Sequence, residues 1–287
     1  MKIGVVFPQL EIGSDPGGLR EYAAAVRELG FSHILAFDHV LGADPAGHPD
    51  FSGPYTVQSS FHEPFSLFGY LAAVVPELEL VTGVIVLPQR QAVLVAKQAA
   101  EVDLLTRGQF RCGVGLGWNR VEFEALGMSF GNRASRFEEQ IEVLRLLWSQ
   151  PSVTFEGHYH RIQAAGLNPL PVQQPIPLWF GAVAEPALRR ATRLGDGLFT
   201  LVPLRKSWRY TLECLRRWRE EAGLSWESFG IESRLQAARG DADHWRCKVE
   251  EWKALGASHM SVNTMGAGRE GPGEQIAFLQ EVARAIL

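Results

Sequence analysis

Asp38 and His39 are neighbours near the end of an apolar run, Ile34–Val40, that has the composition of a β-strand. An imidazole exchanges a proton near neutral pH, and an adjacent carboxylate can orient or acidify it. Because consecutive residues of a strand point to opposite faces, one of the two side chains is expected to face a site. The alternative is a turn in which Asp38 accepts backbone hydrogen bonds and neither residue does chemistry.

The second candidate is the glycine-rich segment Phe110–Asn119, in which Gly113, Gly115 and Gly117 alternate. Glycines at the end of a strand leave backbone N–H groups open to a flat or anionic molecule. Tight packing without a ligand is the alternative. We assign Gly113, which is deeper in the strand, to packing. The candidate binding residues are Gly115, Leu116, Gly117, Trp118 and Asn119.

Two further positions with small residues are candidates for contact with a ligand. Gly83 interrupts an aliphatic run and indicates either a packing site or a bulge that a ligand approaches. Gly181 and Ala182 precede a helix start, where exposed N–H groups could hold a phosphate. Arg133 and Arg136 lie near the start of the long fourth helix and could also reach an anion. The commoner alternative is that they are solvated surface arginines.

The sequence predicts no metal site. Cys112, Cys214 and Cys247 are widely spaced, and His158 and His160 share a short segment without an evident third ligand. The same three cysteines form no disulfide pattern, which favours a reducing compartment.

The composition narrows the class of protein further. The chain has 287 residues, 46% hydrophobic and 21% charged, with a net charge of −4 and no basic block. Nucleic acid is therefore not an expected partner. No apolar stretch approaches the roughly 20 residues of a membrane span. The first apolar run is too short for a signal peptide, so a cytoplasmic location is expected.

The candidate residues must be positioned by alternating strands and helices. The predicted strands are Ile3–Phe7, Ile34–Val40, Leu78–Leu87, Phe110–Leu116, Leu178–Gly181, Gly197–Val202, Phe229–Gln236 and His259–Met265. An amphipathic helix follows each, which predicts a single (β/α)8 TIM-barrel domain over residues 1–287. Residues 150–175 interrupt this alternation of strands and helices. They are predicted to form an insertion, a small hairpin that turns at Gly157 and is followed by a proline-rich segment.

A doubly wound open sheet is the alternative architecture. Pro8-Gln9 stands in the first turn after a strand, where a dinucleotide-binding sheet requires Gly-x-Gly-x-x-Gly. In a barrel the active site lies at the carboxyl ends of the strands. Large apolar side chains expected at that mouth, and suited to a flat partner, are Phe7, Trp118, Phe180 and Val202. No acid in an obvious proton-donor place is seen at the end of the fourth strand.

Read together, these segments resemble the luciferase-like monooxygenase superfamily, most of all its branch of coenzyme F420-dependent oxidoreductases. The resemblance covers about residues 1–200. The segments that carry it are Asp38–Val40, Val81–Arg90, Lys97–Arg111, Gly113–Asn119, Glu122–Gly127, Arg136 with Glu139, Pro177–Gly181 and Leu188–Gly197.

The resemblance implies a homodimeric barrel with a flavin or deazaflavin across its mouth. Asp38 and His39 would lie beside the ring, with His39 as proton donor or acceptor. Gly83-Val84 matches a place where relatives carry a non-proline cis peptide that supports the ring. The glycines at 115 and 117 match segments that hold the cofactor tail. So does Gly181-Ala182, although many relatives have two glycines there.

Three functions follow as hypotheses. The first is F420-dependent hydride transfer to or from a small organic substrate. The second is a monooxygenase that uses reduced FMN from a separate reductase. The third is a barrel that binds a ligand without a cofactor. No residue matches a known substrate site, so the substrate is open, with Phe7, Phe180 and Val202 as candidate contacts.

Overall fold

Strands and helices alternate along the computed structural model, which describes residues 1–287. The strands are β1 (Lys2–Val6), β2 (His33–Ala36), β3 (Glu79–Thr82), β4 (Ile85–Val86), β5 (Phe110–Gly115), β6 (Val153–Glu156), β7 (Arg161–Ala165), β8 (Leu178–Ala182), β9 (Gly197–Thr200), β10 (Gly230–Gln236) and β11 (His259–Asn263). The helices are α1 (Pro16–Glu28), α2 (Pro64–Ala72), α3 (Ala92–Leu105), α4 (Arg120–Ala125), α5 (Arg133–Ser149), α6 (Glu185–Leu194), α7 (Trp208–Glu221), α8 (Ala242–Ala254) and α9 (Gly271–Ile286).

The main sheet closes on itself. Its strands follow the order β3-β2-β1-β11-β10-β9-β8-β5, all parallel, and β3 pairs with β5 to complete the ring. The (β/α)8 barrel prediction is therefore confirmed, and the open-sheet alternative is wrong. No helix combines the length and apolarity needed to cross a bilayer.

The third barrel strand is interrupted where the sequence predicts one continuous run. β3 ends at Thr82 and the short β4 begins at Ile85, while the peptide between Gly83 and Val84 is cis. β4 stays in the barrel because it pairs with β5. The cis bond lies at the place that the family resemblance implies.

The second barrel strand is shorter than the sequence predicts. It ends at Ala36 rather than Val40, because the Phe37 N–H donates to the Gln9 side chain at 2.6 Å instead of continuing the ladder. Asp38 and His39 therefore lie in a loop. Strand alternation does not govern which way they face.

The predicted insertion is present as the antiparallel pair β6–β7. Glu139 of α5 fastens it, since its carboxylate accepts the N–H groups of His158, Tyr159 and His160 at 2.6–2.8 Å and contacts the His160 ring at 2.7 Å. The two hairpin histidines thus belong to a hydrogen-bonded anchor.

Two apolar layers support the barrel. The larger one lies between strands and helices. The smaller one fills the barrel interior with Val6, Leu35, Phe37, Val81, Trp179 and Phe199. Glycines make the inner layer possible: a Cβ on Gly197 or Gly230 would overlap the Trp179 ring, and one on Gly113 would lie 2.7 Å from Phe199. Gly113 therefore serves packing.

Candidate active site

A cavity of about 390 Å³ opens at the carboxyl ends of the barrel strands. Most predicted site residues line it: Asp38, His39, Gly83, Val84, Gly115, Leu116, Gly117, Trp118, Gly181 and Ala182. The barrel closure brings these residues together from the carboxyl ends of β2, β3, β5 and β8, which are far apart in the sequence. Their functional roles stay predictions.

Three predicted mouth residues do not line the cavity, and their placement there is corrected. Phe7 is fully buried and packs edge-on against Tyr22 of α1. Phe180 is buried against Phe137 of α5. Val202 is 54% exposed outside the cavity. Residues on neighbouring positions of these strands point inward instead, because side chains alternate across the sheet.

Asn119 also lies outside the cavity. It is buried at the start of α4, and its side-chain oxygen has no hydrogen-bond partner. Phe199 and Leu201 do line the cavity, and β9, which carries Phe199, pairs with β8 at Gly181. Neither residue is among those predicted from the sequence to belong to the site.

His39 is paired with Glu122, a carboxylate that sequence reasoning did not assign. The His39 Nδ1 lies 3.3 Å from Glu122 Oε2, and the same carboxylate accepts the Val40 N–H at 2.5 Å and Gln89 Nε2 at 3.1 Å. Burial opposes ionisation of Glu122, but these hydrogen bonds, His39 first, outweigh it and lower its pKa.

An ionised Glu122 only accepts hydrogen bonds, so His39 Nδ1 carries the proton and donates it. The His39 Nε2 then has no partner within the protein and is able to exchange a proton with a bound molecule. Glu122 lies on α4, after the fourth barrel strand, but as an ionised hydrogen-bond acceptor it does not stand in a proton-donor place. The expectation that no acid does so stays a prediction.

Asp38 is held on both oxygens. Arg90 Nη2 donates to its Oδ1 at 2.7 Å, and the Val86 N–H donates to its Oδ2 at 3.0 Å. Burial raises the pKa of Asp38, and the charge and hydrogen bond of Arg90 oppose that rise. The pair ties the end of β2 to the segment after the cis peptide. With both oxygens occupied, Asp38 is suited to positioning the cavity wall.

Aromatic rings enclose His39. Tyr55 and Phe61 have ring centroids 4.9 Å from the imidazole, and Trp118 lies at 5.6 Å. Tyr55 and Phe61 come from the long loop between β2 and α2. This enclosure limits water around the imidazole while its edge remains at the cavity.

Val84 forms an apolar platform in the cavity. A Cβ on Gly115 would lie 2.6 Å from Val84 Cγ2, and one on Gly181 would lie 2.9 Å from Val84 Cγ1. Both distances are too short for real side chains. The two glycines therefore make room for the Val84 side chain. The sequence predicts a different main role for them, the exposure of backbone N–H groups to an anion.

The two cationic groups lining the cavity are Arg133 and Arg234. Arg133 stands at the start of α5, where it donates to the Phe130 carbonyl at 2.8 Å. Arg136, the other arginine considered for anion binding, is buried and donates to the carbonyls of Pro88 and Ser129. Arg234 comes from β10, where Glu232, Arg234 and Gln236 alternate; that alternation is the sequence signal for an inward-facing polar row.

The arrangement combines a flat apolar platform, an enclosed imidazole with a fixed tautomer, and two arginines in the cavity wall. It can hold a planar ring system and move one proton beside it. It provides no cluster of three ligand side chains for a metal ion.

The chain is similar to several known proteins. The family model described as luciferase-like monooxygenase matches residues 1–281. An uncharacterised protein of Mycobacterium tuberculosis is 30% identical over 187 residues, which are 62% of this chain and 66% of that protein. An FMNH2-dependent dimethylsulfone monooxygenase of Pseudomonas fluorescens is 34% identical over 142 residues, 48% of this chain and 38% of the relative. These matches span less than two thirds of either relative.

Among solved structures, an F420-dependent secondary alcohol dehydrogenase in complex with an F420-acetone adduct superposes with a TM-score of 0.80. The alignment covers 100% of this chain and 99% of the other, at 19% sequence identity. At that identity the likeness shows a shared fold.

Proposed function

This chain belongs to the luciferase-like monooxygenase family, and we propose that it is an oxidoreductase that binds a flavin-type cofactor at the barrel mouth. More narrowly, we propose coenzyme F420 as the cofactor and hydride transfer to or from a small organic substrate as the reaction. The observation that carries the proposal is the His39–Glu122 pair beside the Val84 platform in one cavity.

The residues present fit a planar cofactor. Val84, seated on Gly115 and Gly181, would support one face of the ring. A cavity of about 390 Å³ lies within the size range of small-molecule sites, which starts at about 300 Å³. Arg133, which lines the same cavity as Ala182–Ala184, would hold the phosphate of the cofactor tail.

F420, when bound, supplies a carbon that accepts or returns a hydride. His39 supplies the matching proton transfer: its Nε2 takes the hydroxyl proton of a substrate as the hydride leaves the adjacent carbon, or returns it in the reverse direction. The loss of one hydride and one proton balances the two-electron oxidation of an alcohol to a carbonyl. Glu122 fixes the tautomer that makes this exchange possible.

A second candidate is an FMNH2-dependent monooxygenase supplied by a separate reductase. The identity with the Pseudomonas fluorescens enzyme favours it. The third hypothesis, a cofactor-free barrel, predicts a mouth filled by side chains, and the open cavity argues against it. A homodimer stays a prediction from the family resemblance, which light scattering would measure.

Titration of the purified protein with F420 and with FMN tests the proposal. We expect F420 to bind saturably, with quenching of its fluorescence, and FMN to bind more weakly. Arg133→Met should weaken F420 binding but leave binding of the tail-free deazaflavin chromophore unchanged. Tight binding of FMN without binding of F420 would replace the first candidate by the second.

A further inference from the structure

Arg234 is a charged side chain in the cavity that the proposed reaction does not use. Its guanidinium stands over the Phe37 ring, with Cζ 4.8 Å from the ring centroid. It is partly buried, lines the cavity, and makes neither a hydrogen bond nor an ion pair with the protein. An arginine in such surroundings stays protonated at neutral pH.

The carboxylate on the same strand does not neutralise this charge. Glu232 faces the barrel interior two residues earlier, but Arg111 holds it at 2.6 Å and His33 at 3.2 Å, and Ser261 donates to it as well. Burial lowers the pKa of Arg234, and the negative charge of Glu232 only partly opposes this. A cation left without a partner in an apolar cavity costs free energy that an anionic ligand would offset.

Tyr55 is a second unused polar group in the same cavity. Its hydroxyl makes no hydrogen bond in the structure, and its ring lies 4.9 Å from that of His39. Tyr55 and Arg234 both line this cavity. Burial raises the pKa of Tyr55, and the charge of Arg234 lowers it. A ligand held by both would have its next atoms beside His39.

We infer that the substrate carries a carboxylate, that Arg234 and Tyr55 bind it, and that a small apolar body lies against Phe199 and Leu201. A planar carboxylate matches the fork of a guanidinium better than other anions do. Arg133, the other arginine of the cavity, comes from a different element, the start of α5. The role of such an acid as reactant rests on the proposed function, but its binding does not require a cofactor.

Binding of carboxylates and their matched amides tests the inference. Propanoate, hexanoate and benzoate, each beside its amide, are titrated against the full chain by thermal shift and calorimetry, with and without F420. We expect saturable binding of at least one carboxylate and none of its amide. Arg234→Met should weaken that binding at least tenfold and Tyr55→Phe a few-fold. Arg234→Lys should retain part of it, because the charge remains but the fork is lost.

The outcomes separate the two proposals. Equal binding of acids and amides, no saturable carboxylate in the series, or a loss that follows Arg133→Met in place of Arg234→Met would each overturn the inference. The inference would also be overturned if Arg234→Met weakened F420 binding and left carboxylate binding unchanged, because Arg234 would then bind the cofactor. If wild type binds a carboxylate through Arg234 but neither F420 nor FMN, the proposed function fails and the inference stands.

Discussion

The two ends of the barrel interior treat buried charge in opposite ways, and one strand, β10, contributes to both. At the closed end, Glu232 accepts from Arg111 at 2.6 Å, and Arg111 also reaches Glu79 at 3.1 Å. At the open end, Arg234 faces the cavity without a protein partner.

The difference separates a structural cluster from the proposed ligand site. Charges buried away from solvent persist when partners and hydrogen bonds satisfy them, as around Glu232. Arg111 is further stabilised by its position 4.2 Å over the Trp179 ring. An unpaired charge at the carboxyl ends of barrel strands, where active sites lie, instead supports the proposed binding of an anionic ligand.

The largest effect is expected from removing the central cation of the closed end, Arg111. Arg111→Met leaves Glu232 and Glu79 without it, so we expect the free energy of unfolding to fall by about 3–5 kcal/mol. Denaturant titration measures the fall. Lys248→Met, which removes an exposed pair with Glu251, is the control and should change stability by about 0.5 kcal/mol or less. Comparable losses in the two variants would contradict a structural role for the cluster.

At the open end the expected loss is in activity. His39→Ala should reduce turnover about 10²- to 10⁴-fold by removing the proton exchange, while the fold and cofactor affinity are retained. Glu122→Gln should reduce it less, since the imidazole remains but its tautomer is no longer fixed. Turnover is followed by the absorbance of the cofactor. His48→Ala, an exposed histidine in the neighbouring loop, should match wild type; wild-type turnover in His39→Ala would remove His39 from the chemistry.

The platform gives a smaller effect on binding. Gly115→Ala places a Cβ 2.6 Å from Val84, so Val84 must shift and the ring would lose its support. We expect cofactor affinity to weaken about tenfold, about 1.4 kcal/mol, as measured by fluorescence titration. Gly69→Ala in α2 is the matched control, because its Cβ meets open space. Equal affinities in the two variants would argue that Val84 does not contact the cofactor.

The smallest expected effect is the pH dependence of the closed end. Burial and the charge of Arg111 lower the pKa of His259 to about 3. The unfolded chain therefore takes up this proton first, and stability should fall as the pH drops from about 6.5 toward 3, by about 1 kcal/mol over the first unit. His259→Phe, which retains an aromatic ring beside Trp179, should flatten this slope in denaturant titrations at pH 6.5 and 5.5. An unchanged slope would show that another group is responsible.

The mouth residues show where prediction from sequence stops. Phe7, Phe180 and Val202 are apolar residues at strand ends, but they do not line the cavity. In a parallel barrel both faces of each strand are buried and apolar, so the sequence carries no sign of which alternate set points inward. One pattern in the sequence does indicate which residues of a strand point inward. Polar residues alternate along β10 as Glu232, Arg234 and Gln236. On a strand covered by helices, such residues can lie only in the barrel interior or at its mouth.

The sequence by itself determined the order of strands and helices, the inserted hairpin, and the barrel, since hydrophobic periodicity and turn residues act over short distances. It also placed Asp38, His39 and the glycines of β5 and β8 at strand ends. Only the tertiary structure decided that Glu122 pairs with His39, that Gly115 and Gly181 seat Val84, and that Arg234 is unpaired. Each of these depends on residues dozens of positions apart, brought together when the barrel closes, and local patterns do not encode those distances.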